Sequence, residues 1–330
     1  MTGGSEELES KIVRVAEKII VTGANGAIGS VFVPELRRLK GTDLVIAGYN
    51  RTPLTGAVAE GPSAHADVTN LDILKKVVEL HGINIMYNFS ALLSVATEEN
   101  PELAYKVNVG GLKNTLAVAA EHGLRLFWLS SMAVFGGKGL QKENTPQDEP
   151  LQPDFEYGKN KKEGEELVEA YFNRGVDVRS VRFPGMLGPG PYGPGTTEVI
   201  NEMIDMAAQG KPYVSPLRTD TVLPMMDTRD GNRAILALMD APREDITVHS
   251  SYNLAGYSVS IREVASNLRN RFPGFKVSYR INPTKQAIAD SWPDSIDASI
   301  AFKDFGFEAE YDLDDNIDYV LEHRTDSVAV

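Results

Sequence analysis

A glycine-rich turn near the start of the chain constrains the fold more than any other feature. Residues 18–22 (KIIVT) form a short apolar run that predicts a buried strand, and Gly23, Gly26 and Gly29 follow directly. This spacing allows a tight turn, close approach of a pyrophosphate, and close packing of a helix on the strand. The helix N-terminus offers N–H groups and a positive dipole to phosphates. The position between a strand and a helix predicts a dinucleotide-binding unit, the alternative being a turn that binds nothing.

Apolar runs and helical patterns alternate along the first half of the chain. Further strands are predicted at residues 44–48, 84–89, 124–130 and 177–183, and helices near residues 27–39, 71–81, 101–122 and 157–174. Such alternation implies right-handed crossovers and a parallel sheet that is covered on both faces. The predicted fold class is therefore α/β, with a Rossmann-type doubly wound parallel sheet.

After residue 183 the alternation fails, which predicts a second, smaller unit. Residues 184–195 are rich in Gly and Pro and precede a helix near 198–208. The segments 223–226 and 229–239 resemble a return to the sheet. We therefore expect a dinucleotide-binding domain over residues 1–183 and 222–250, and a smaller, discontinuous C-terminal substrate-binding lobe over residues 184–221 and 251–330.

Charge and cysteine content limit the partners and the compartment. The formal net charge of −13 argues against nucleic acid and anionic membrane as partners and leaves a small molecule. No cysteine occurs, which excludes thiolate chemistry and fits a soluble protein of a reducing compartment. No apolar run approaches the roughly 20 residues that span a bilayer. The acidic residues 1–18 do not resemble a transit peptide, which favours the cytoplasm if no presequence was removed.

A metal site is not expected. The five histidines are scattered along the chain, without the close spacing of zinc ligands. The acidic run at residues 312–315 is typical of a helix N-terminus, where carboxylates favour the helix dipole.

Tyr157 and Lys161 stand four residues apart in the predicted helix 157–174 and so share one of its faces. A positive charge beside a phenol favours the phenolate and lowers its pKa from about 10. Such a pair can act as a general base that takes a proton from an alcohol near neutral pH. We therefore predict that Lys161 lowers the pKa of Tyr157, although the Tyr-x-x-x-Lys spacing alone is common.

The end of the second predicted strand bears on the choice of dinucleotide. An NAD-binding fold usually offers Asp or Glu to the ribose 2′-hydroxyl about 20 residues beyond the loop, whereas Tyr49, Asn50 and Arg51 stand here. Asn50 could bond the hydroxyl, and Arg51 could stack on adenine or meet the 2′-phosphate of NADP, so both cofactors stay open. Asp67 and Val68 are candidate adenine contacts, with a helix N-cap at Asp67 or Asn70 as the alternative.

Further motifs carry a resemblance to a known superfamily. Residues 129–136 (LSSMAVFG) and 88–91 (NFSA), together with the glycine spacing, resemble the extended short-chain dehydrogenases/reductases. In that superfamily a serine partners the Tyr-Lys pair, and Ser131 occupies its position 26 residues before Tyr157. The resemblance implies hydride transfer at a catalytic site formed by Ser131, Tyr157 and Lys161.

The second half narrows the resemblance to the short-chain L-threonine 3-dehydrogenases. The segments that carry it are residues 177–185 (DVRSVRFPG), 195–197 (GTT), 223–226 (LPMM) and 289–297 (ADSWPDSID). The last is the most specific, because sugar-nucleotide epimerases and dehydratases share the front half without it. The family implies oxidation of the L-threonine β-hydroxyl by NAD⁺ in a homodimer formed through residues 101–122 and 157–174. It commonly carries Asp where Tyr49 stands, and its eukaryotic members imply the mitochondrial matrix.

The glycine loop and the resemblance together give the expected binding residues. The expected cofactor contacts are Gly23, Asn25, Gly26, Ala27, Ile28, Gly29, Asn50, Arg51, Asp67, Val68, Ser90, Ala91, Asn108, Tyr157, Lys161, Pro184, Met186 and Leu187. Threonine is a zwitterion, so its charged groups need polar partners within a pocket. The expected substrate contacts are Ser94, Ser131, Tyr157, Gly185, Thr196, Thr197 and Trp292.

Several of these residues have a structural alternative. Thr196 and Thr197 could cap the helix that follows them, and Trp292 could lie in the core. Arg182, close to the expected pocket, could brace the end of its strand. Residues 188–195 could be a lid that excludes water from bound substrate, or only a rigid connector. The rival functions are a sugar-nucleotide epimerase or dehydratase that holds NAD tightly, and a non-catalytic dinucleotide sensor.

Overall fold

The computed structural model describes residues 17–324, so the targeting prediction for residues 1–18 lies almost entirely outside the described residues. The first half alternates strands and helices as predicted. Its elements are β1 (Ile19–Thr22), α1 (Gly29–Lys40), β2 (Val45–Tyr49), β3 (Ser63–His65), α2 (Leu71–His81), β4 (Ile85–Asn88), α3 (Ser94–Glu99), α4 (Pro101–Tyr105), α5 (Gly111–His122), β5 (Arg125–Ser131), α6 (Glu156–Phe172) and β6 (Val178–Phe183). A π-helical turn (Lys106–Gly110) joins α4 to α5, so the single helix predicted over residues 101–122 is interrupted.

The second half has shorter elements and mixed strand directions. They are β7 (Gly185–Leu187), α7 (Val199–Ala208), β8 (Tyr213–Ser215), β9 (Val222–Asp227), α8 (Thr228–Asp240), β10 (Tyr252–Asn253), β11 (Tyr257–Ser260), α9 (Ile261–Arg271), β12 (Val277–Tyr279), α10 (Pro283–Asp290), α11 (Ser299–Phe305) and α12 (Leu313–His323). Asp312 caps α12 and forms a capping box with Asp315, as the acidic run predicted. Within residues 17–324, no helix is long and apolar enough to cross a membrane.

The main sheet has seven strands in the order β10-β6-β5-β4-β1-β2-β3, and every neighbouring pair is parallel. The strands β1 and β4 are buried along their whole length, as expected of a sheet covered by helices on both faces. The predicted α/β, Rossmann-type doubly wound fold is therefore confirmed. Strand order reverses beside β1, and the carboxyl ends at that point form the crevice where such folds bind ligands.

Strand β9 lies in a separate three-stranded sheet, so the predicted return of residues 223–226 to the main sheet is wrong. Its neighbours are β7, which is parallel, and β11, which is antiparallel. Helix α8 does return, because Ile235 and Leu238 are buried in the core of the main sheet. The partner of a short strand is set by tertiary contacts that a local pattern does not record.

The domain boundary expected at residue 251 does not agree with the strand pairing of the main sheet. Strand β10 joins the edge of the main sheet beside β6, although the expected division places residues 251–330 in the lobe. The remainder of that division stays a prediction. Two apolar cores are present: one includes Ile20, Phe32, Leu36, Met86 and Phe127 around the main sheet, and the other includes Phe135, Ile200, Met203, Leu223 and Val264.

Candidate active site

The turn after β1 has the geometry that requires glycine at its first and third positions. Gly23 has a φ of +71°, and a Cβ there would lie 2.8 Å from the Phe89 carbonyl carbon. A Cβ at Gly29 would lie 2.4 Å from the Gly23 carbonyl oxygen, so α1 packs directly on the turn. Gly26 is exposed, and its nearest neighbour would be 3.3 Å away. The loop is therefore closed at Gly23 and Gly29 and open to a ligand at Gly26.

The start of α1 suits an anion. Ile28 occupies the N-cap, and within the described chain no side chain caps this helix and no acid stands in its first turn. The N-terminal dipole is thus left to attract negative charge. The Asn25 side chain accepts hydrogen bonds from Thr55 and donates to the Pro53 carbonyl at 3.4 Å, which ties the loop to the segment after β2. These features fit a pyrophosphate.

The segments after β2 and β3 form the corner expected to hold the adenosine. Tyr49 ends β2, its ring lies 5.8 Å from the ring of His65, and Asn50 and Arg51 follow as exposed residues. Asp67 does not cap α2; its carboxylate instead accepts from the backbone N–H and the hydroxyl of Thr69.

The structure shows separate roles for Asn70 and Val68, which flank Thr69 at this corner. Asn70 is the cap of α2, because its side chain accepts from the N–H of Ile73 at 3.1 Å. Val68 is buried and packs so closely on Gly111 that a Cβ there would lie 2.8 Å from the valine. The Val68 side chain is therefore part of the packing between this corner and α5.

Ser90 and Ala91 follow β4, beside the glycine turn, and Asn108 braces this segment from the π-helical turn. The Asn108 side chain accepts from the Leu92 N–H at 2.8 Å and donates to the Leu92 carbonyl at 3.2 Å. Asn108 is buried, with both ends of its amide engaged by Leu92. The amide of Asn108 therefore supports the backbone of the segment that carries Ser90 and Ala91, and its direct contact with the cofactor stays a prediction.

Ser131 and Tyr157 are brought together by a close contact between two elements. Ser131 ends β5, and its hydroxyl accepts from the Ala133 N–H at 3.2 Å. Tyr157 lies in the first turn of α6, where its N–H donates to the Glu98 carboxylate at 3.3 Å. A Cβ at Gly158 would lie 2.1 Å from the Ala133 carbonyl oxygen, so only glycine allows α6 to approach this closely.

Lys161 is buried one turn further along α6. Its ammonium donates to the Leu129 carbonyl at 2.5 Å and lies 4.8 Å from the Trp128 ring and 5.6 Å from the Tyr157 ring. Burial lowers the pKa of Lys161 to about 7, and the Glu165 carboxylate partly opposes this. The ammonium is thus paired with a backbone carbonyl at the end of β5.

The predicted lowering of the Tyr157 pKa is not what the structure has. Burial raises the pKa of Tyr157 to about 12, and a hydrogen bond with Ser131 only partly offsets it. The reason is that desolvation of the phenol outweighs the attraction of a lysine whose own charge is disfavoured by burial. The spacing of Tyr157 and Lys161 predicts their common face, and the burial decides the direction of the shift.

Ser94 and Trp292 line one small cleft with Tyr157. The other residues that line it are Ala133, Asp154, Phe155, Gly158, Ile288 and Ser291. Trp292 also belongs to the second apolar core, so its core and pocket roles are both present. The phenol therefore faces a confined space with a serine and an indole.

Thr196 and Thr197 do not cap α7. Its N-cap is Glu198, and within residues 17–324 no side chain bonds the free N–H groups of this helix. The Thr196 hydroxyl is buried without a hydrogen-bond partner in this part of the chain, and Thr197 packs on Gly185, where a Cβ would lie 2.8 Å from the threonine methyl. Glu198 was missed by the sequence analysis: it is buried, and burial raises its pKa to about 7.

The segment Pro184 to Leu187 follows β6 and lies beside α8 and α12. A Cβ at Gly231 would lie 2.5 Å from the Met186 methyl, and the Leu187 carbonyl accepts from the Asn316 side chain at 3.0 Å. Pro184 and Leu187 are buried, whereas Met186 is partly exposed. The backbone of this segment is therefore fixed by packing from both sides.

Arg182 braces the end of β6, which was one of the two roles considered for it. Its guanidinium pairs with the Glu165 carboxylate at 2.8 Å and donates to the Gln147 carbonyl and to Asn253. Ser130 also donates to Glu165, at 2.6 Å. The sequence offered one signal for Glu165, its position four residues after the catalytic lysine candidate.

Metal ligands do not cluster here or elsewhere in the described part of the chain. No group of three or more His, Asp or Glu side chains in residues 17–324 could hold a metal ion.

Comparisons with known proteins agree with a dinucleotide-binding fold. The NAD dependent epimerase/dehydratase family matches residues 19–255. An uncharacterized epimerase/dehydratase of Staphylococcus haemolyticus is 39% identical over 300 residues, which cover 90% of this chain and 94% of that protein. Such relatives are bacterial and give the expected mitochondrial location no support.

Two solved structures resemble the whole described chain. The holo form of the GalE-like L-threonine dehydrogenase from Cupriavidus necator is 38% identical, with a TM-score of 0.88, and covers 92% of this chain and 99% of its own. The apo form of a monomeric L-threonine 3-dehydrogenase from a metagenome is 36% identical, with a TM-score of 0.87, and covers 93% of this chain and 98% of its own. With the glycine loop and the Ser131, Tyr157 and Lys161 side chains in place, this chain belongs to the NAD-dependent epimerase/dehydratase family, the extended short-chain dehydrogenases/reductases, and is an NAD-dependent oxidoreductase.

Proposed function

We propose that this protein oxidises L-threonine to 2-amino-3-ketobutyrate with NAD⁺. The observation that carries the proposal is the cleft that places Ser94 and Trp292 beside Tyr157, the candidate base. Ser94 and Trp292 are two of the expected threonine contacts, and the similarity to two L-threonine dehydrogenases supports the same substrate.

Tyr157 is the group that takes the proton from the β-hydroxyl. NAD⁺, when bound, accepts the hydride from the same carbon. Ser131, at the end of β5, holds the substrate oxygen in line with the phenol, which is a positioning role. The pKa of Tyr157 is raised to about 12, so its work as a base requires the positive charge of Lys161 close by. Lys161 lies 5.6 Å from the Tyr157 ring and supplies that charge while it is protonated, which with a pKa of about 7 holds for about half of the molecules at pH 7.

The charged groups of threonine need partners of opposite charge or hydrogen-bonding capacity. We assign its carboxylate to the hydroxyls of Ser94, Thr196 and Thr197. The buried Thr196 hydroxyl has no partner among the described residues, and such a group costs free energy unless a ligand satisfies it. We assign the ammonium to Glu198, a buried carboxylate directly after the two threonines whose visible partner is the Asn201 amide at 2.7 Å.

The test is the formation of NADH by the purified protein with L-threonine. We expect steady turnover with L-threonine, much weaker turnover with L-serine, which lacks the β-methyl group, and none with UDP-glucose. No NADH with L-threonine would overturn the substrate, and interconversion of UDP-glucose with UDP-galactose would establish an epimerase instead. Glu198→Gln should raise the KM for L-threonine more than that for NAD⁺ if the ammonium assignment is right.

The cofactor contacts are proposed at the positions that the loop and strand ends bring together. The pyrophosphate would lie on Gly26, Ala27 and Ile28, and the adenosine beside Asn50 and Arg51. Comparing NAD⁺ with NADP⁺ in the same assay tests the contribution of Arg51, because a preference for NADP⁺ would assign that side chain to the 2′-phosphate.

The homodimer also stays a proposal, formed by the outer faces of α5 and α6. These faces carry exposed charges such as the Lys113–Glu163 pair at 2.8 Å. Sedimentation velocity at micromolar concentration decides the question: a monomer would contradict the dimer and match the monomeric metagenome enzyme.

A further inference from the structure

Helix α12 and the residue directly after it bond two consecutive backbone carbonyls, those of Leu187, an expected cofactor contact, and of Gly188. Asn316, fully buried, donates to the Leu187 carbonyl at 3.0 Å and accepts from the Tyr257 hydroxyl at 2.8 Å. Arg324, directly after the helix, donates to the Gly188 carbonyl at 2.5 Å. Two side chains from one helix thus fix the point where β7 becomes the Gly-Pro loop 188–195.

Arg324 is itself held in place by a buried network. Its guanidinium donates to the Asp205 carboxylate at 2.5 Å and to the Asn201 side chain, and it lies 5.1 Å from the Tyr192 ring. Tyr192, within the loop, donates to the other oxygen of Asp205 at 2.6 Å. The Arg324 side chain is only 8% exposed, so these charge-assisted bonds are shielded from water. Asp205 therefore links the loop to Arg324.

The loop held in this way reaches the phosphate loop. A Cβ at Gly190 would lie 2.6 Å from the Ala27 carbonyl oxygen and 2.7 Å from the Ser30 hydroxyl. The backbone at Gly190 therefore rests on the start of α1, where the pyrophosphate is expected. A shift at Gly188 would move Gly190 with it, because two residues span only about 7 Å.

We propose that Arg324 and Asn316 are positioning residues for the dinucleotide, which hold the Leu187 and Gly188 carbonyls and so keep loop 188–195 seated on the phosphate loop. The proposal rests on the proposed cofactor site and concerns how slowly that site releases the cofactor. Cofactor release requires the loop to leave the phosphate loop, and Arg324 opposes that movement through Gly188 and, with Asp205, through Tyr192.

The experiment is the dissociation rate of NADH, measured by stopped-flow displacement from the full-length protein, with no amino-acid substrate present. Arg324→Gln should release NADH at least about tenfold faster, the effect of losing one charged hydrogen bond. Arg324→Lys should give an intermediate rate, because one ammonium keeps a charge near Asp205 without the planar fork that reaches Gly188. The KM for NAD⁺ should rise by more than kcat changes.

Arg271→Gln is the matched control. Arg271 in α9 also binds α12, through Asp314 at 2.6 Å and Asp318 at 2.9 Å, but it has no contact with the loop. If α12 mattered only for stability, Arg271→Gln and Arg324→Gln would both lower the melting temperature and neither would change NADH release. Equal NADH release in wild type and Arg324→Gln overturns the proposal.

Tyr192→Phe decides the matter if Arg324→Gln does not fold. It removes only the hydroxyl that joins the loop to Asp205, and an unchanged NADH dissociation rate would then overturn the proposal. Failure of wild type to bind NADH at all would instead overturn the proposed cofactor site. The two failures are thus distinguishable, because the first requires a wild type that binds NADH normally.

Discussion

At the scale of single residues, the phenol of Tyr157 carries the proposed chemistry. Tyr157→Phe removes the oxygen that is proposed to take the hydroxyl proton while keeping the ring that lines the cleft. We expect kcat/KM for L-threonine to fall by about 10²–10⁴-fold, the usual loss for a positioned acid or base. Steady-state NADH formation measures this. Tyr171→Phe, near the far end of the same helix, is the control and should retain wild-type turnover; near wild-type activity in Tyr157→Phe would remove the assignment.

Lys161 makes a prediction about stability and pH. Burial lowers its pKa from 10.5 to about 7 in the folded protein. Between pH 7 and 10 the unfolded chain therefore holds a proton that the folded chain has lost, so the free energy of unfolding rises with pH. The slope from this group is at most about 1.4 kcal/mol per pH unit. Below pH 7 both states hold the proton, and the cost of burying the charge is fully present.

The comparison of wild type with Lys161→Met isolates this slope. Urea unfolding at several pH values between 6 and 10 gives the free energy of unfolding of each protein. The advantage of the methionine variant should be largest at pH 6, where the buried charge is fully present, and should shrink as the pH approaches 10. Parallel curves over the whole range would show that Lys161 is charged in the folded protein throughout.

At this scale the sequence could predict where the site residues lie but not their protonation. The helical period places Tyr157 and Lys161 on one face from their spacing alone, and the glycine spacing marks Gly23 and Gly29 without any structure. The direction of the Tyr157 pKa shift depends on burial of the phenol by residues that are far apart in sequence. The hydrogen bonds of Asn108 to Leu92 were not predictable for the same reason, since the fold brings these two residues together.

At the scale of elements, the approach of α6 to the turn after β5 is what builds the site. Gly158→Ala would place a methyl group 2.1 Å from the Ala133 carbonyl oxygen and 2.6 Å from Pro153. The helix must then move away and take Tyr157 from Ser131. We expect turnover to fall at least tenfold, because displacements of about 1 Å at a reacting group have effects of this order or larger. Overpacking should also lower the free energy of unfolding by about 1–3 kcal/mol.

Gly110→Ala is the matched control for this helix variant. Gly110 lies in the π-helical turn, and the nearest atom to a Cβ there would be 3.9 Å away. It should keep full activity and wild-type stability or slightly more, since alanine favours helix over glycine by up to about 1 kcal/mol. Equal activity of the two variants, measured as NADH formation, would mean that the close contact at Gly158 does not set the site.

Elements with strong local signals were predictable, and short ones were not. Strands β1, β4 and β5 are mainly apolar runs between turn residues, and β6 mixes apolar residues with Arg and Ser. The predicted bounds of all four differ from the structure by at most one residue. Strand β9 was predicted, but its sheet was not, because its pairing with β7 and β11 joins segments that are distant in sequence. Strand β10 has only two residues and exists through its pairing with β6. Local pattern contains no information about that pairing.

At the scale of the whole molecule, a buried charge network joins segments that are distant in sequence. Glu165 of α6 and Arg182 of β6 form its centre, with Gln147 and Asn253 attached to the guanidinium and Ser130 to the carboxylate. The strand β6, the helix α6 and the edge strand β10 thus meet at one ion pair. Sequence predicted only that Arg182 lies near the strand end, since its partners are up to 71 residues away.

Removal of one partner from this network should be far more costly than removal of both. Arg182→Met leaves the Glu165 carboxylate buried with Ser130 as its main partner, and an uncompensated buried charge typically costs about 3–5 kcal/mol. The double variant Glu165→Gln/Arg182→Met has no buried charge and should recover a large part of that loss. Arg38→Met breaks the exposed pair with Glu35 on α1 and should cost less than about 1 kcal/mol. Urea unfolding of the four proteins measures these differences, and a double variant no more stable than Arg182→Met would mean that packing around Arg182, and not its charge, joins these segments.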